Sequence, residues 1–286
     1  MIAYHDDHAI KGALLAALDA GEPLPLVARR IEAADRQAWA EAVGLPTAVV
    51  LLAAYLAERS GDEAPDGALA RDLLEAIAPG ADLTATPFRL ALWAWKSAPE
   101  ALCGSMRDAD YLTAGAAVAD LQGRAARGET IARHEWRAAR ARLGRLGEGE
   151  GEEAAAAWVM AAGAWDFRIA PGAIVDLFWT WNGLLIARVE RDEGWSEADA
   201  THAQARIYEL RDAVLARLGP APDDEIAAAD HRRALVAELI SFMSTSEDPV
   251  LGRRRAVQAR IGGVAKALRE AAIATLISLL RAAAAP

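Results

Sequence analysis

The chain has 286 residues, of which 53% are hydrophobic and 25% charged, and it carries a formal net charge of −10. That composition excludes a disordered, tail-like polypeptide, and the negative field disfavours nucleic acid and anionic membrane surfaces as partners. Alanine fills about a quarter of the positions while aromatic residues make up only 6%, which predicts helices throughout.

In chain order, Asp6 or Asp7 caps a first helix that ends at Gly21, and Pro23 and Pro25 then force a turn. A short helix carries Val27 and Ile31 on one face, and Asp35 caps the next piece, Arg36 to Val43, which Gly44 ends. Pro46 opens an apolar helix through Arg59. After a loop over 60–67, a helix presents Leu69, Leu73, Leu74 and Ile77 and stops at Pro79-Gly80. Thr86-Pro87 starts another, with Leu90, Trp93 and Ala94 as its buried stripe and Pro99 at its end. Two further helices follow, roughly Asp108 to Ala126 and Thr130 to Leu146.

The stretch Gly147-Glu148-Gly149-Glu150-Gly151-Glu152-Glu153 has no apolar face, and its alternation of Gly and Glu reads as a flexible linker. The expected organisation is therefore an N-terminal helical domain over 1–146, a linker over 147–153 and a C-terminal bundle over 154–286. In that second half the helices run about Glu152 to Phe167, Gly172 to Glu193, Ser196 to Leu218, Asp223 to Ser244 and Pro249 to Arg281. Ser196 with Asp199 resembles a capping box, and Gly219-Pro220-Ala221-Pro222 is a hard stop. The fold class is all-α: a multi-helix bundle of about ten helices, its second half up-and-down and antiparallel.

Cys103 stands alone, so neither an intramolecular disulfide nor a cysteine-based zinc cluster can form, and a reducing interior suits the chain. The N-terminus lacks the basic and apolar regions of a signal peptide, and no apolar stretch reaches the roughly 20 residues a bilayer needs. A soluble cytoplasmic protein is expected.

Three segments carry a resemblance: Met1 to Asp7 with Ala9-Ile10-Lys11, Ala38-Trp39 through Gly44-Leu45-Pro46, and Leu74-Glu75-Ala76-Ile77 with Gly80-Ala81-Asp82-Leu83. Over roughly the first 120 residues the chain resembles a family of Ala-rich helical proteins of bacteria and phages. Members of that family carry a Gly- and Cys-rich insertion after the first helix that this chain lacks. The resemblance implies a bacterial or phage origin and brings with it no activity, cofactor or catalytic residue.

The densest polar cluster is His5-Asp6-Asp7-His8. Two imidazoles and two carboxylates are the ligand types of Zn, Fe or Mn, which would suit a metal-dependent phosphohydrolase. Neighbouring side chains diverge on a helix, however, and the same residues serve as an acidic, capped helix start. His134, His202 and His231 each have an acid close in sequence (Glu135, Asp199, Asp230) but no spacing that a helical metal site uses. Asp223-Asp224-Glu225 with Asp230 has the composition of a magnesium–diphosphate cluster, yet its partner cluster is missing and ordinary capping accounts for it.

Among the arginines from Arg124 to Arg145, Arg133, Arg137 and Arg140 share a helix face and form a candidate anion site, with a solvated face as the plainer alternative. Of nine tryptophans five lie between Trp158 and Trp195. Trp158, Trp165 and Trp179, with Asp176 and Asn182 as polar contacts, form a candidate ligand pocket that competes with simple core filling. Gly262-Gly263 marks a kink or a close packing point.

No nucleophile elbow, P-loop or dinucleotide fingerprint is present, and nothing calls for a cofactor. The leading functional expectation is a non-catalytic helical binding or interaction protein, with a protein partner or self-association. A metal-dependent phosphoester hydrolase and a small-molecule-binding bundle with a Trp-lined pocket stand as alternatives.

Overall fold

The structure is a computed structural model and describes residues 2–22, 24–27, 31–58, 67–98, 101–220 and 224–283. The expected turn at Pro23, the middle of the short helix between Val27 and Ile31, the 60–66 loop, the Pro99 stop and the break at Ala221 to Asp223 lie outside the described residues. The described residues are all-helical, without a strand; Ile2 and Asp82 form a lone antiparallel bridge.

Among the described residues twelve α-helices follow one another: α1 His8–Asp19, α2 Ala33–Ala42, α3 Thr47–Glu58, α4 Gly67–Ala76, α5 Thr86–Lys96, α6 Ala109–Ala126, α7 Arg133–Gly147, α8 Glu152–Ala162, α9 Ala173–Asp192, α10 Glu197–Leu218, α11 Glu225–Thr245 and α12 Pro249–Ala282. Their starts are set by caps. Asp7 accepts from the Ala9 N–H at 2.7 Å, Asp108 from Asp110 at 2.8 Å and Asp224 from Ala227 at 2.9 Å. The Ser196–Asp199 box closes in both directions, with Ser196 N–H on Asp199 Oδ2 at 3.0 Å and Asp199 N–H on Ser196 Oγ at 3.1 Å.

The chain divides into two compact units. The first comprises 1–184 and 265–286, the second 185–264. The Gly147–Glu153 stretch read as a linker lies inside the first unit and joins α7 to α8, which pack along each other. Glycine is needed there: Gly151 sits at φ +92°, and a Cβ on Gly147 would come within 3.3 Å of the Trp158 backbone and side chain.

The first unit has an aromatic core. Trp181 is fully buried, meets Trp93 edge-on at 6.0 Å between centroids and Phe178 at 5.7 Å, while Phe88 packs on Phe167 at 5.2 Å. Helix α3 is buried nearly all round, with Val49, Val50, Leu52, Ala53 and Leu56 all inside. In α6, Gly115 lets the Trp95 ring of α5 lie directly against the helix backbone.

The start of the chain is a left-handed turn. Tyr4, His5 and Asp6 all have φ between 50° and 63°, a conformation costing roughly 1–2 kcal/mol per residue. It persists because its groups are fixed from several sides. Ala3 N–H donates to Ala81 O and Gly80 N–H to Ala3 O, both at 3.0 Å. Tyr4 N–H donates to Val43 O at 3.0 Å, and the buried Tyr4 hydroxyl to Leu74 O at 3.1 Å. Lys11 Nζ reaches the carbonyls of Glu75 and Ile77 at the end of α4. Three stretches distant in sequence, around Ala3–Lys11, Glu41–Gly44 and Leu74–Ala81, thus meet at this one turn.

In the second unit α10 packs on α11. Its chain is cross-tied by ion pairs: Arg206 approaches Asp248 at 3.4 Å, beside the His202 ring at 3.7 Å, Arg253 pairs with Asp199 at 3.2 Å, and Arg217 pairs with Glu238 and Arg260 with Glu193. Helix α12 runs through Gly262-Gly263 unbroken, and a Cβ at either would meet nothing within 4 Å, so neither marks a close packing point. Among the described residues no helix is long and apolar enough to cross a membrane.

Candidate functional site

Helix α7 begins with Arg133, and positions 133, 136, 137 and 140 follow the i, i+3, i+4, i+7 stripe that places side chains along one face. That stripe is Arg133, Trp136, Arg137 and Arg140. After Gly163 ends α8, the chain passes through Trp165, Asp166 and Ile169 before α9 begins. The α7 stripe and this segment enclose a cleft of about 300 Å³, with Ile131 as a further apolar wall. This is the lower end of small-ligand site volumes.

The charges around the cleft are unequal in their engagement. Arg140 is half-buried, lies over the Trp165 ring at 3.6 Å from its centroid and has its pKa lowered, first by burial and then by the neighbouring Arg137 charge. Arg133 and Arg137 are exposed and form no ion pair or side-chain hydrogen bond among the described residues. Asp166 lines the cleft and is buried, but Arg168 neutralises it through two parallel contacts of 2.8 and 2.7 Å. Arg168 also donates to Glu129 O at 3.2 Å. Trp136 is 3% exposed, and its indole Nε1–H is buried without an acceptor among the described residues.

Of the remaining arginines of the series, Arg124, Arg127 and Arg142 have acidic partners, and Arg145 has none among the described residues. Arg124 pairs with Glu129 at 3.1 Å and Glu135 at 2.9 Å, which holds both carboxyls below their ordinary range. Arg127 pairs with Glu129, and Arg142 approaches Asp110. Only Arg133, Arg137 and Arg140 of the basic run line the cleft.

The expected tryptophan group is dispersed. Trp165 lines the cleft, because α8 stops at Ala162 and Trp165 lies beyond it instead of continuing the face of Trp158. Trp158 is 56% exposed and lies against Gly147, Trp179 is 61% exposed, and Asp176 and Asn182, exposed and half-buried, are not among the cleft's walls.

The N-terminal cluster is engaged in structure. His5 turns Nε2 to the carbonyls of Glu41 and Ala42 at 3.2 and 3.1 Å, where it donates to the C-terminal end of α2, and Asp7 caps α1. Among the described residues no three His, Cys, Asp or Glu side chains gather to hold a metal ion. His134 is exposed, His202 faces Asp248, and Asp224 serves as the α11 cap, while Asp223 lies outside the described residues.

A neighbouring cleft of about 420 Å³ shares Ile169 and is walled by Phe167, Arg168 and residues of α2 and α3. Several of its polar groups already have partners: Gln37 donates to Glu41 at 3.0 Å, Thr84 to Asp82 at 2.6 Å, and Arg168 to Asp166 at 2.8 Å.

Sequence reasoning missed Trp136 and the Asp166–Arg168 pair. Trp136 was discoverable, because it falls at the i+3 position of the same arginine stripe. The Asp166–Arg168 pair depends on where α8 ends, and no sequence signal marks it as part of a cleft. No protein-family model, curated protein or solved structure matches the chain, so the geometry of the cleft carries the functional reading.

Proposed function

We propose that the chain is a cytoplasmic, non-catalytic binding protein whose first unit captures a small organic anion in the cleft beside α7. The observation that carries this reading is the pair Arg133 and Arg137, two guanidiniums one helical turn apart, both without a partner among the described residues and both at a cleft with apolar walls. An anion there gains two charge-assisted forks, while its apolar body covers Trp165 and Ile169. The walls supply donors and apolar surface, and the one carboxylate among them is already paired with Arg168. Such a lining suits retention of a ligand, not proton transfer.

The test is isothermal titration calorimetry of the full chain with phenyl phosphate and with benzoate. Saturable binding of at least one anion, lost in the Arg133→Gln, Arg137→Gln double variant, supports the proposal. Absence of saturable heat for both, or binding that the double variant retains, overturns it. Both arginines are exposed, so the double variant keeps the fold.

A further inference from the structure

Two clefts of the first unit share Ile169 as a wall, and their charges are opposite in sign. In the α7 cleft the charged walls are Arg133, Arg137, Arg140 and Asp166, and in its neighbour they are Glu41 and Arg168. Asp166 and Arg168 cancel each other, with Nε on one carboxylate oxygen at 2.8 Å and Nη2 on the other at 2.7 Å. The α7 cleft therefore keeps an excess of positive charge, and the neighbouring cleft keeps the carboxylate of Glu41.

That carboxylate has no cation. Its Oε1 accepts from the amide of Gln37, one turn back on α2, at 3.0 Å, and it has no ion pair among the described residues. His5 comes close but donates to the main-chain carbonyl of Glu41, not to its side chain. Between the two charged ends the walls are apolar. Ile169, 60% exposed, belongs to both clefts, with Trp165 on the α7 side and the half-buried Pro46 and Pro171 on the other.

The volumes of about 300 and about 420 Å³ are those of small-ligand sites. An anion held by α7, with an apolar body that runs past Ile169, brings its far end beside Glu41. An uncharged far end takes water from that carboxylate and returns no partner. An ammonium there makes a charge-assisted hydrogen bond to it. Glu41 thus rewards a cationic end and penalises a neutral one.

We infer that the two clefts form one bipartite site for a small zwitterion, its carboxylate on Arg133 and Arg137, its apolar body across Ile169 and its primary ammonium on Glu41. This inference rests on the anion-binding reading of the α7 cleft and adds a second, opposite charge to the ligand. A short apolar peptide with free ends and an ω-amino acid share this chemistry.

The experiment is calorimetry of the full chain at neutral pH with two short series, trialanine and tetra-alanine, and 6-aminohexanoate and 8-aminooctanoate. Each is titrated beside its N-acetylated form, with benzoate as the reference anion. Acetylation removes the ammonium charge and keeps the carboxylate and the apolar body. In at least one series the free amine should bind about tenfold or more tightly than its acetylated form, the worth of one hydrogen bond to a charged group. An advantage in the alanine series identifies a peptide, and one in the other series an ω-amino acid. In Glu41→Gln, an exposed position on α2, the ratio should fall to about one. Benzoate binding without any advantage of a free amine, or an advantage that survives Glu41→Gln, overturns the inference and leaves the anion cleft standing. No saturable binding of any probe, benzoate included, overturns the anion reading and this inference with it.

Discussion

The guanidinium of Arg140 lies over the ring of Trp165 at 3.6 Å from its centroid, and its Nη1 approaches the carbonyl of Ala164 at 3.4 Å. This contact joins the middle of α7 to the segment that follows α8. It fixes the wall of the cleft, which Arg133 and Arg137 also line without an ion pair among the described residues.

Replacing Arg140 with Ala therefore loosens the cleft as well as removing a charge. The expected cost is about 1 kcal/mol, the worth of a partly desolvated cation–π contact. Arg140→Lys should recover little of it, since an ammonium lacks the planar stacking surface. All the tryptophans except Trp195 lie in the first unit, so urea unfolding followed by tryptophan fluorescence reports this unit selectively. An unchanged midpoint in Arg140→Ala would show that the stack contributes nothing to holding the wall.

The helical class and most helix ends were legible because they rest on local chemistry. Asp7 and the Ser196–Asp199 box cap their helices as expected and α6 starts just after Asp108, whereas α8 ends at Ala162, short of the expected Phe167. The arginine face was legible as well, since helical spacing alone puts Arg133, Arg137 and Arg140 together. What stayed hidden was tertiary. Nothing local marks Gly147 to Glu153 as the joint between two packed helices, since alternating Gly and Glu suits a tight connection as well as a loose linker. The placement of Trp165 opposite Arg140 follows from α8 ending early, which a count of seven from Trp158 could not reveal. The engagement of His5 depends on α2 ending beside the first turn, a contact across 36 positions of sequence.

Glycines in helices separate propensity from packing. Gly12 in α1 has nothing within 4 Å of its would-be Cβ, so Gly12→Ala should stabilise the first unit by roughly 0.5–1 kcal/mol. Gly115 in α6 should behave oppositely. A Cβ there would stand 2.4 Å from the Trp95 ring and 2.8 Å from a second ring atom, and a buried indole has no free end to swing away. Gly115→Ala should cost about 1–3 kcal/mol despite the better helix former. Paired urea melts decide the matter, and stabilisation by both variants would refute the close α5–α6 approach.

Gly44 holds the corner against which the chain start is laid. It has φ +71°, and a Cβ would lie 2.5 Å from Ile2 O and 2.9 Å from the His5 amide nitrogen. Gly44→Ala must therefore both strain its own backbone and push the left-handed turn off its carbonyl partners. A loss of about 2 kcal/mol or more is expected, with faster amide exchange at Ala3, Tyr4 and Gly80. Protection of those amides equal to the wild type would mean that the turn tolerates a side chain there.

Tyr4 supplies a pH dependence with a definite sign. Its ring is fully buried, its hydroxyl donates to Leu74 O, and burial pushes its pKa well above the ordinary tyrosine value. The folded chain keeps this proton after the unfolded chain has begun to lose it near pH 10. Its contribution is complete below that pH and is lost as pH rises from about 10 toward the folded pKa. Tyr4→Phe removes the buried hydrogen bond and should cost about 1 kcal/mol at neutral pH. The same variant should also lose less stability than the wild type between about pH 8 and about pH 11. Alkaline effects of other groups are common to both proteins, so the difference between their urea midpoints isolates Tyr4. Parallel decline of the two across that range would place the Tyr4 hydroxyl in contact with solvent and release the first turn from its anchor on α4.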